Sequence, residues 1–291
     1  MNISIDINRS TRINHILENL NSYDNSGDLN ISLNFSCSGF IESSTYLLLT
    51  SFINEKRENG HNVNITLENN SSCDQINYAS RIDFFNSIDL AFNEQFGRND
   101  TTGNLIPISN LPCNAYGIPE GIFSIFRSNF NISDDDIRSI QFIVEEMICN
   151  TTIHSKALSG AYYYFQKYPQ RRELEFILVD SGRGIRNSLI TNPIYEDLVN
   201  EEAVKKAFEF EVTCGEGRGH GLFIMKEIVK KTGGRILLYS GRNAIFIDEN
   251  NLSISDTENW DGVYLNIKLK LGTEFKLDTI FEEIDYSVQQ H

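Results

Sequence analysis

The sequence predicts a mixed α/β protein built as two domains. Three observations carry that expectation. Short runs that alternate apolar and polar residues are interleaved with longer stretches whose apolar residues recur at helical spacing. At 291 residues the chain is long enough for two domains of ordinary size. Pro107, Pro112 and Pro119 cluster where the less regular first part gives way to a more regular second part. The expected division is 1–110 and 111–272, with a C-terminal tail over 273–291.

In the first domain, ISLNFS at 31–36 alternates as a half-buried strand should. A helix is expected from Ser43 to Glu58, closed by Asn59-Gly60. NVNITL at 62–67 alternates again and completes a β-α-β unit. After a polar loop at 69–74, a helical stretch carries Ile76, Ala79, Ile82, Phe84 and Phe85 toward a core, and Phe96–Asn104 reads as loop. In the second domain, Ser133 followed by three aspartates marks a helix start, with a hydroxyl to cap free amides and carboxylates at the positive dipole end. Ile137, Ile140, Val144, Met147, Ile148 and Thr151 form its apolar stripe. Strands follow at 161–167 (AYYYFQK) and 173–180 (ELEFILVD). A helix from Gly221 to Lys231 ends at Gly233-Gly234, with Lys226, Lys230 and Lys231 suited to its negative dipole end. RILLYS at 235–240 and VYLNIKLKL at 263–271 complete the sheet, the latter with Val263, Leu265, Ile267, Leu269 and Leu271 on one face.

The charge balance narrows the function. Forty acidic against twenty-five basic residues leave a net charge of -15, which works against general attraction to nucleic acid or an anionic membrane. No apolar run approaches the roughly 18 residues of a membrane span, and MNISIDINRST lacks the apolar core of a signal peptide. The five cysteines are scattered, with no CxxC and no metal-ligand spacing, so free and mostly buried thiols in a reducing, cytoplasmic setting are expected.

Three segments carry chemistry. In EEMICNTTIH at 145–154, Glu146, Asn150 and His154 are spaced i, i+4, i+8 and stack on one helical face beside the apolar stripe. Glu can orient or deprotonate an attacking hydroxyl or water, and Asn can offer an oxygen to Mg²⁺. In DSGRGI at 180–185, Asp180 shares parity with Leu174, Phe176 and Leu178, so its carboxylate points to the buried face and needs a donor such as an adenine amino group. Gly182 and Gly184 let the backbone turn sharply beneath a flat base. In TCGEGRGHGL at 213–222, Gly215, Gly217, Gly219 and Gly221 lead into a helix whose free amides form a phosphate cradle, to which Arg218 and His220 can add charge or hydrogen bonds. Neither a P-loop Gly-Lys-Ser/Thr nor a Rossmann unit is present.

In order and chemistry these segments resemble the GHKL ATPase superfamily of gyrase and the sensor histidine kinases, over roughly residues 115–272. EEMICN matches the N box, DSGRGI the G1 box and GRGHGL the G2 box. The resemblance implies a two-layer α/β sandwich of the Bergerat type that binds ATP and Mg²⁺. It makes Glu146 the catalytic carboxylate, Asn150 the Mg²⁺ ligand and Asp180 the adenine acceptor, with His154 also on the nucleotide side. Gly182 and Gly184 would line the base, Gly217, Gly219 and Gly221 would wrap the phosphates with Arg218 and His220, and 186–216 would form a mobile lid with a short helix at Glu201–Phe210. Two departures stand out: His220 replaces an apolar residue between the last glycines, and Gly262-Val263 stands where many members have Gly-Thr, which predicts one polar contact fewer around the adenine. The N-terminal segment, including YASRIDFFNSIDL at 78–90, looks like STAS-type domains, which partner anti-sigma-factor kinases of the same group. That likeness implies a regulatory protein partner and makes Ser71, Ser72 and Ser80 candidate phosphate acceptors; homodimers are common in the superfamily.

Three functions are weighed: an ATPase or serine/threonine kinase, a nucleotide-gated protein-binding switch with little turnover, and a scaffold that uses the fold alone. A histidine kinase is disfavoured, because His15 in RINHILENL lacks the flanking acid and downstream proline of a phosphoacceptor.

Overall fold

Burial alternates residue by residue in the first strands, so each presents one apolar face to a layer of helices. β1 (Asn2–Ile7), β2 (Leu29–Phe35) and β3 (Val63–Leu67) form a three-stranded parallel sheet in the order β1-β2-β3. Its other face is polar: Asn64 donates to Asn30 and Asn30 to Asn2, at 3.0 and 2.9 Å, in a ladder across the strands. β1 is not among the expected strands, although its NISIDI alternates as cleanly as they do. This computed structural model describes the chain except for residues 9–10, 37–40, 69–72, 95, 99–102, 116, 118, 120–121, 123–132, 216–218, 274–275 and 289–291.

The helices α1 (Ile13–Asn21) and α2 (Ser43–Glu58) cover the apolar face of this sheet. α3 (Asp74–Arg81) and α4 (Phe84–Ser87) follow, broken at Asp83, whose φ is +59°. The expected single helical stretch over this region is therefore two pieces, although Ile76, Ala79, Ile82, Phe84 and Phe85 are all in the core.

A second, five-stranded antiparallel sheet has the order β4-β5-β6-β8-β7, from β4 (Leu105–Leu111), β5 (Ala161–Tyr168), β6 (Glu173–Asp180), β7 (Arg235–Asp248) and β8 (Leu252–Lys270). β4 straddles the expected boundary at 110/111 and hydrogen-bonds to β5, so the second sheet begins at Leu105. β7 and β8 run well beyond the expected 235–240 and 263–271, as a long hairpin through 241–260. One face of this sheet carries α5 (Asp134–Asn150), α6 (Gly184–Leu189), α7 (Asn200–Lys206) and α8 (Gly221–Lys231) around Phe176, Leu178, Leu238, Leu265 and Ile267. Ser133 caps α5 as expected, its Oγ accepting from Asp136 N at 3.0 Å. A last helix, α9 (Asp278–Val288), adds Ile280 to this core, joined by Leu277 just ahead of it.

The opposite face is buried too. Tyr162, Tyr164, Ile177, Val179, Trp260 and Tyr264 join one core with Ile16, Leu17, Tyr46, Leu48 and Phe85 of the N-terminal segment. α1 and α2 thus lie between two sheets, and every residue of α2 from Ser43 to Ile53 is buried. A helix enclosed on all sides needs partners for its polar groups, and the small hydroxyl residues of α2 find them: Ser44 Oγ lies 2.7 Å from Tyr264 OH, and Ser43 Oγ 2.8 Å from Tyr78 OH. The result is four layers, sheet-helices-sheet-helices, with the second sheet shared by two cores. Among the described residues no helix is long and apolar enough to cross a membrane.

The cysteines depart from expectation. Cys73 is disulfide-bonded, and of the free thiols Cys113 and Cys149 are exposed while Cys214 is half-buried.

Candidate functional site

A cavity of about 410 Å³ opens between the second sheet and its helical layer. Glu146, Asn150, His154, Asp180, Gly184, Gly219, His220 and Gly221 all line it. Three segments far apart in sequence therefore converge on one space. Gly217 and Arg218 lie outside the described residues. Gly182 does not line the cavity.

Asp180 ends β6 on the parity of Leu178 and is only 2% exposed. Ser155 Oγ donates to its Oδ1 at 2.8 Å and Gly182 N donates to the same oxygen at 2.9 Å. Burial pushes the carboxyl up from 3.8 to about 6, against the lowering effect of the hydrogen bonds from Gly182, Ser155 and the Val263 backbone, with the charge of Glu55 adding to the rise. Trp260 Nε1 donates to the Asp180 carbonyl at 3.0 Å and fixes the strand end from behind.

Ser155 is the residue that sequence reasoning missed. α5 continues into a single wide π-helical turn over Thr151–Ser155, and that turn carries Ser155 to Asp180. A hydroxyl from the helical layer thus donates to the Asp180 carboxylate beside Val263. Arg183 holds the turn in place: its backbone N donates to Ser155 O and its Nε to His154 O, both at 2.7 Å. Gly182 is required by close approach, since a β-carbon there would collide with the Ser155 carbonyl. Gly184 has a φ of +72° and packs on Asp261 and Gly262 carbonyls. Both glycines serve the backbone turn that holds Asp180, and Gly184 alone also borders the cavity.

Glu146 is half-buried, facing the N-terminus of α8 so closely that a β-carbon on Gly221 would strike its carboxylate. Among the described residues it has no hydrogen bond or ion pair, and burial, with Glu145 beside it, raises its carboxyl above the usual range. One turn on, the Asn150 amide nitrogen is buried and also lacks a partner among the described residues. His154 Nδ1 lies 3.4 Å from Cys214 Sγ, and the His220 ring stacks on Phe210 with centroids 4.3 Å apart, so both imidazoles border the cavity while contacting the 186–216 segment. That segment is substantially folded: α7 begins at Asn200, one residue before the expected helix, and Asn200 Nδ2 anchors it to Ser240 O on β7 at 2.8 Å.

Of the candidate phosphate acceptors, Ser71 and Ser72 lie outside the described residues. Ser80 is 4% exposed and donates to Glu94 Oε1, a buried position that gives no access to a kinase. His15 is exposed on α1.

No protein-family model matches the chain, and no curated protein matches it.

Proposed function

We propose that the chain binds Mg·ATP in this cavity in the manner of the GHKL ATPases, and that it hydrolyses the nucleotide or transfers its γ-phosphate to a serine or threonine of a protein partner. The observation that carries the reading is the convergence of Glu146, Asn150, Asp180 and the Gly219–Gly221 entry to α8 on one cavity. On this reading the second sheet and its helices form a Bergerat-type sandwich, and the β-α-β segment ahead of it is a STAS-like domain. Support comes from the antiparallel sheet helix-covered on the cavity side and from the parallel strands at 2–67.

The residues present fit the group. Asp180 offers a buried acceptor to an exocyclic amino group, and the Asn150 side chain is not consumed by the fold. α8 presents its first amides to the cavity, where anionic oxygens are favoured. Magnesium usually keeps most of its waters and takes one or two protein oxygens plus phosphate, and the Asn150 carbonyl oxygen meets that need. A bound Mg²⁺ would neutralise phosphate charge. Glu146, unpaired and with its proton held more tightly than usual, would orient water or a hydroxyl and accept its proton.

Incubation with γ-labelled ATP tests the reading. Label in free phosphate indicates an ATPase, and label on a protein serine or threonine a kinase. Label that stays in bound ATP favours the second reading, a nucleotide-gated switch, which one contact supports: Ser51 of α2 meets Ser181, the residue after Asp180, across the shared sheet. Absence of Mg·ATP binding refutes both.

A further inference from the structure

We propose that Ser51 and Glu55, from the N-terminal layer, are positioning residues of the purine end of the cavity. The inference rests on the nucleotide reading above, but its geometry stands independently. The two residues are one turn apart on the same face of α2. Each grips one of the two segments whose donors hold the Asp180 carboxylate. Ser51 Oγ lies 2.9 Å from Ser181 Oγ, between Asp180 and the Gly182 amide that bonds it. Glu55 accepts from the turn just after Ser155: from Leu158 N at 3.2 Å, Ser159 N at 2.9 Å and Ser159 Oγ at 2.8 Å. Lys156, between the two, is held at a φ of +61°, a conformation that needs outside support in a non-glycine residue. α2 itself is fixed on both sides by the two sheets it separates. A displacement of α2 therefore moves the Ser155 donor and the Gly182 donor together, and with them the acceptor that meets the base. On this account the N-terminal layer is a built-in part of the nucleotide site rather than an appended module.

The test uses the full chain with three substitutions, Ser51→Ala, Glu55→Ala and Glu55→Gln, and Glu58→Ala at the exposed end of α2 as a control. Amide hydrogen exchange without nucleotide should rise at 155–160 and 180–184 in Glu55→Ala and Ser51→Ala, and stay unchanged in the control. Mg·ATP affinity should fall about tenfold in Glu55→Ala, as expected for loss of hydrogen bonds to a charged group. A structural role alone would not move the pH profile. Glu55→Gln removes a negative charge that disfavours ionised Asp180, so the pH at which nucleotide affinity is half lost should shift downward. Glu146 and His154 on the helical wall, Arg183 in the same turn and Asp261 on β8 remain in place in every variant. Unchanged exchange in both segments for Ser51→Ala and Glu55→Ala overturns the proposal, as does an unmoved pH profile in Glu55→Gln. If wild-type protein fails to bind Mg·ATP, the nucleotide reading falls while the exchange experiment still decides whether α2 positions the turn.

Discussion

Asp180→Asn should make the protein more stable and blind to nucleotide at the same time. The carboxyl is fully buried and titrates at about 6 in the folded chain, against 3.8 for an ordinary aspartate. Because the folded value is the higher one, the native state binds the proton more tightly than the unfolded state. The associated stability is therefore complete below 3.8 and is lost as pH rises through about 6. At pH 7 the rise from 3.8 to about 6 corresponds to about 3 kcal/mol of cost carried by the free site. Asparagine carries no charge, and its Oδ1 can still accept from Ser155 and Gly182, but its Nδ2 cannot accept from the Val263 amide, which makes the cost of the removed charge a ceiling on the gain. The variant should gain up to about 3 kcal/mol at pH 7, which for a chain of this size is several degrees of Tm. The gain should vanish near pH 4, where wild-type Asp180 is protonated. Mg·ATP binding should weaken about a hundredfold or more, since an amide N–H would face the base amino group and a charge-assisted bond is lost. Thermal unfolding at pH 4 and pH 7, with and without Mg·ATP, measures both arms. A variant less stable than wild type at pH 7, or one that still binds Mg·ATP as tightly, refutes the reasoning.

Four further outcomes are expected. Wild-type affinity for Mg·ATP should fall about tenfold per unit as pH drops below about 6, because the acceptor form of Asp180 is lost; calorimetric titration between pH 5 and 8 checks the slope. Asn150→Ala should abolish Mg·ATP binding, whereas Glu146→Ala should bind nucleotide and release no labelled phosphate; binding that survives in an Asp180→Asn, Asn150→Ala double variant would falsify both nucleotide readings. Ser155→Ala removes a buried donor to a carboxylate and should cost about 1.5–3 kcal/mol of stability, read by urea unfolding at neutral pH. Gly182→Ala should disrupt the π-helical turn, with a lower Tm than Ser155→Ala, because its β-carbon meets the Ser155 backbone rather than a movable side chain.

Most of the site was legible because its signals are local. The parity of Leu174, Phe176 and Leu178 directs Asp180 inward, the i, i+4 spacing aligns Glu146 with Asn150, and the glycines that precede Leu222 end at the first turn of α8. Ser155 escaped because its partner is 25 residues away and the pairing depends on a π-helical turn that no periodicity reveals. The shared sheet escaped for a different reason. AYYYF in β5 and FILV in β6 are continuous apolar runs, which signal strands covered on both faces, and only one face was assigned a partner. α2 hid the other half of that interface. Its Ser43, Ser44, Thr50 and Ser51 carry no apolar signal, yet all are buried with hydroxyl partners supplied by distant residues. Boundaries followed the same logic: α2 and α8 matched at both ends, where Asn59-Gly60 and Gly233-Gly234 stop them, while the β7–β8 hairpin runs past its expected bounds because its outer half, where Ile245 and Ile247 join the core, is set by cross-strand register with 252–256.

The electrostatics of the cavity constrain how a nucleotide could occupy it. The chain carries -15 overall, and two carboxylates, Glu146 and Asp180, face the same space. Among the described residues no lysine or arginine lines it. A free triphosphate would thus meet the amides at the start of α8 as its main protein attraction, worth about 1 kcal/mol and at most about 2 from the helix dipole. Glu146, which abuts the same helix end, opposes it with a negative charge. Two features relieve that opposition. Burial raises the Glu146 carboxyl above its ordinary value, and on the proposed reading Asn150, one turn away, would take a cation that arrives with the phosphates. The nucleotide compatible with this wall is one already neutralised by a divalent ion. On the proposed reading the roles separate: Asp180 would read the base from a site whose geometry the fold fixes, and affinity for the phosphates would depend on the metal and on Asn150.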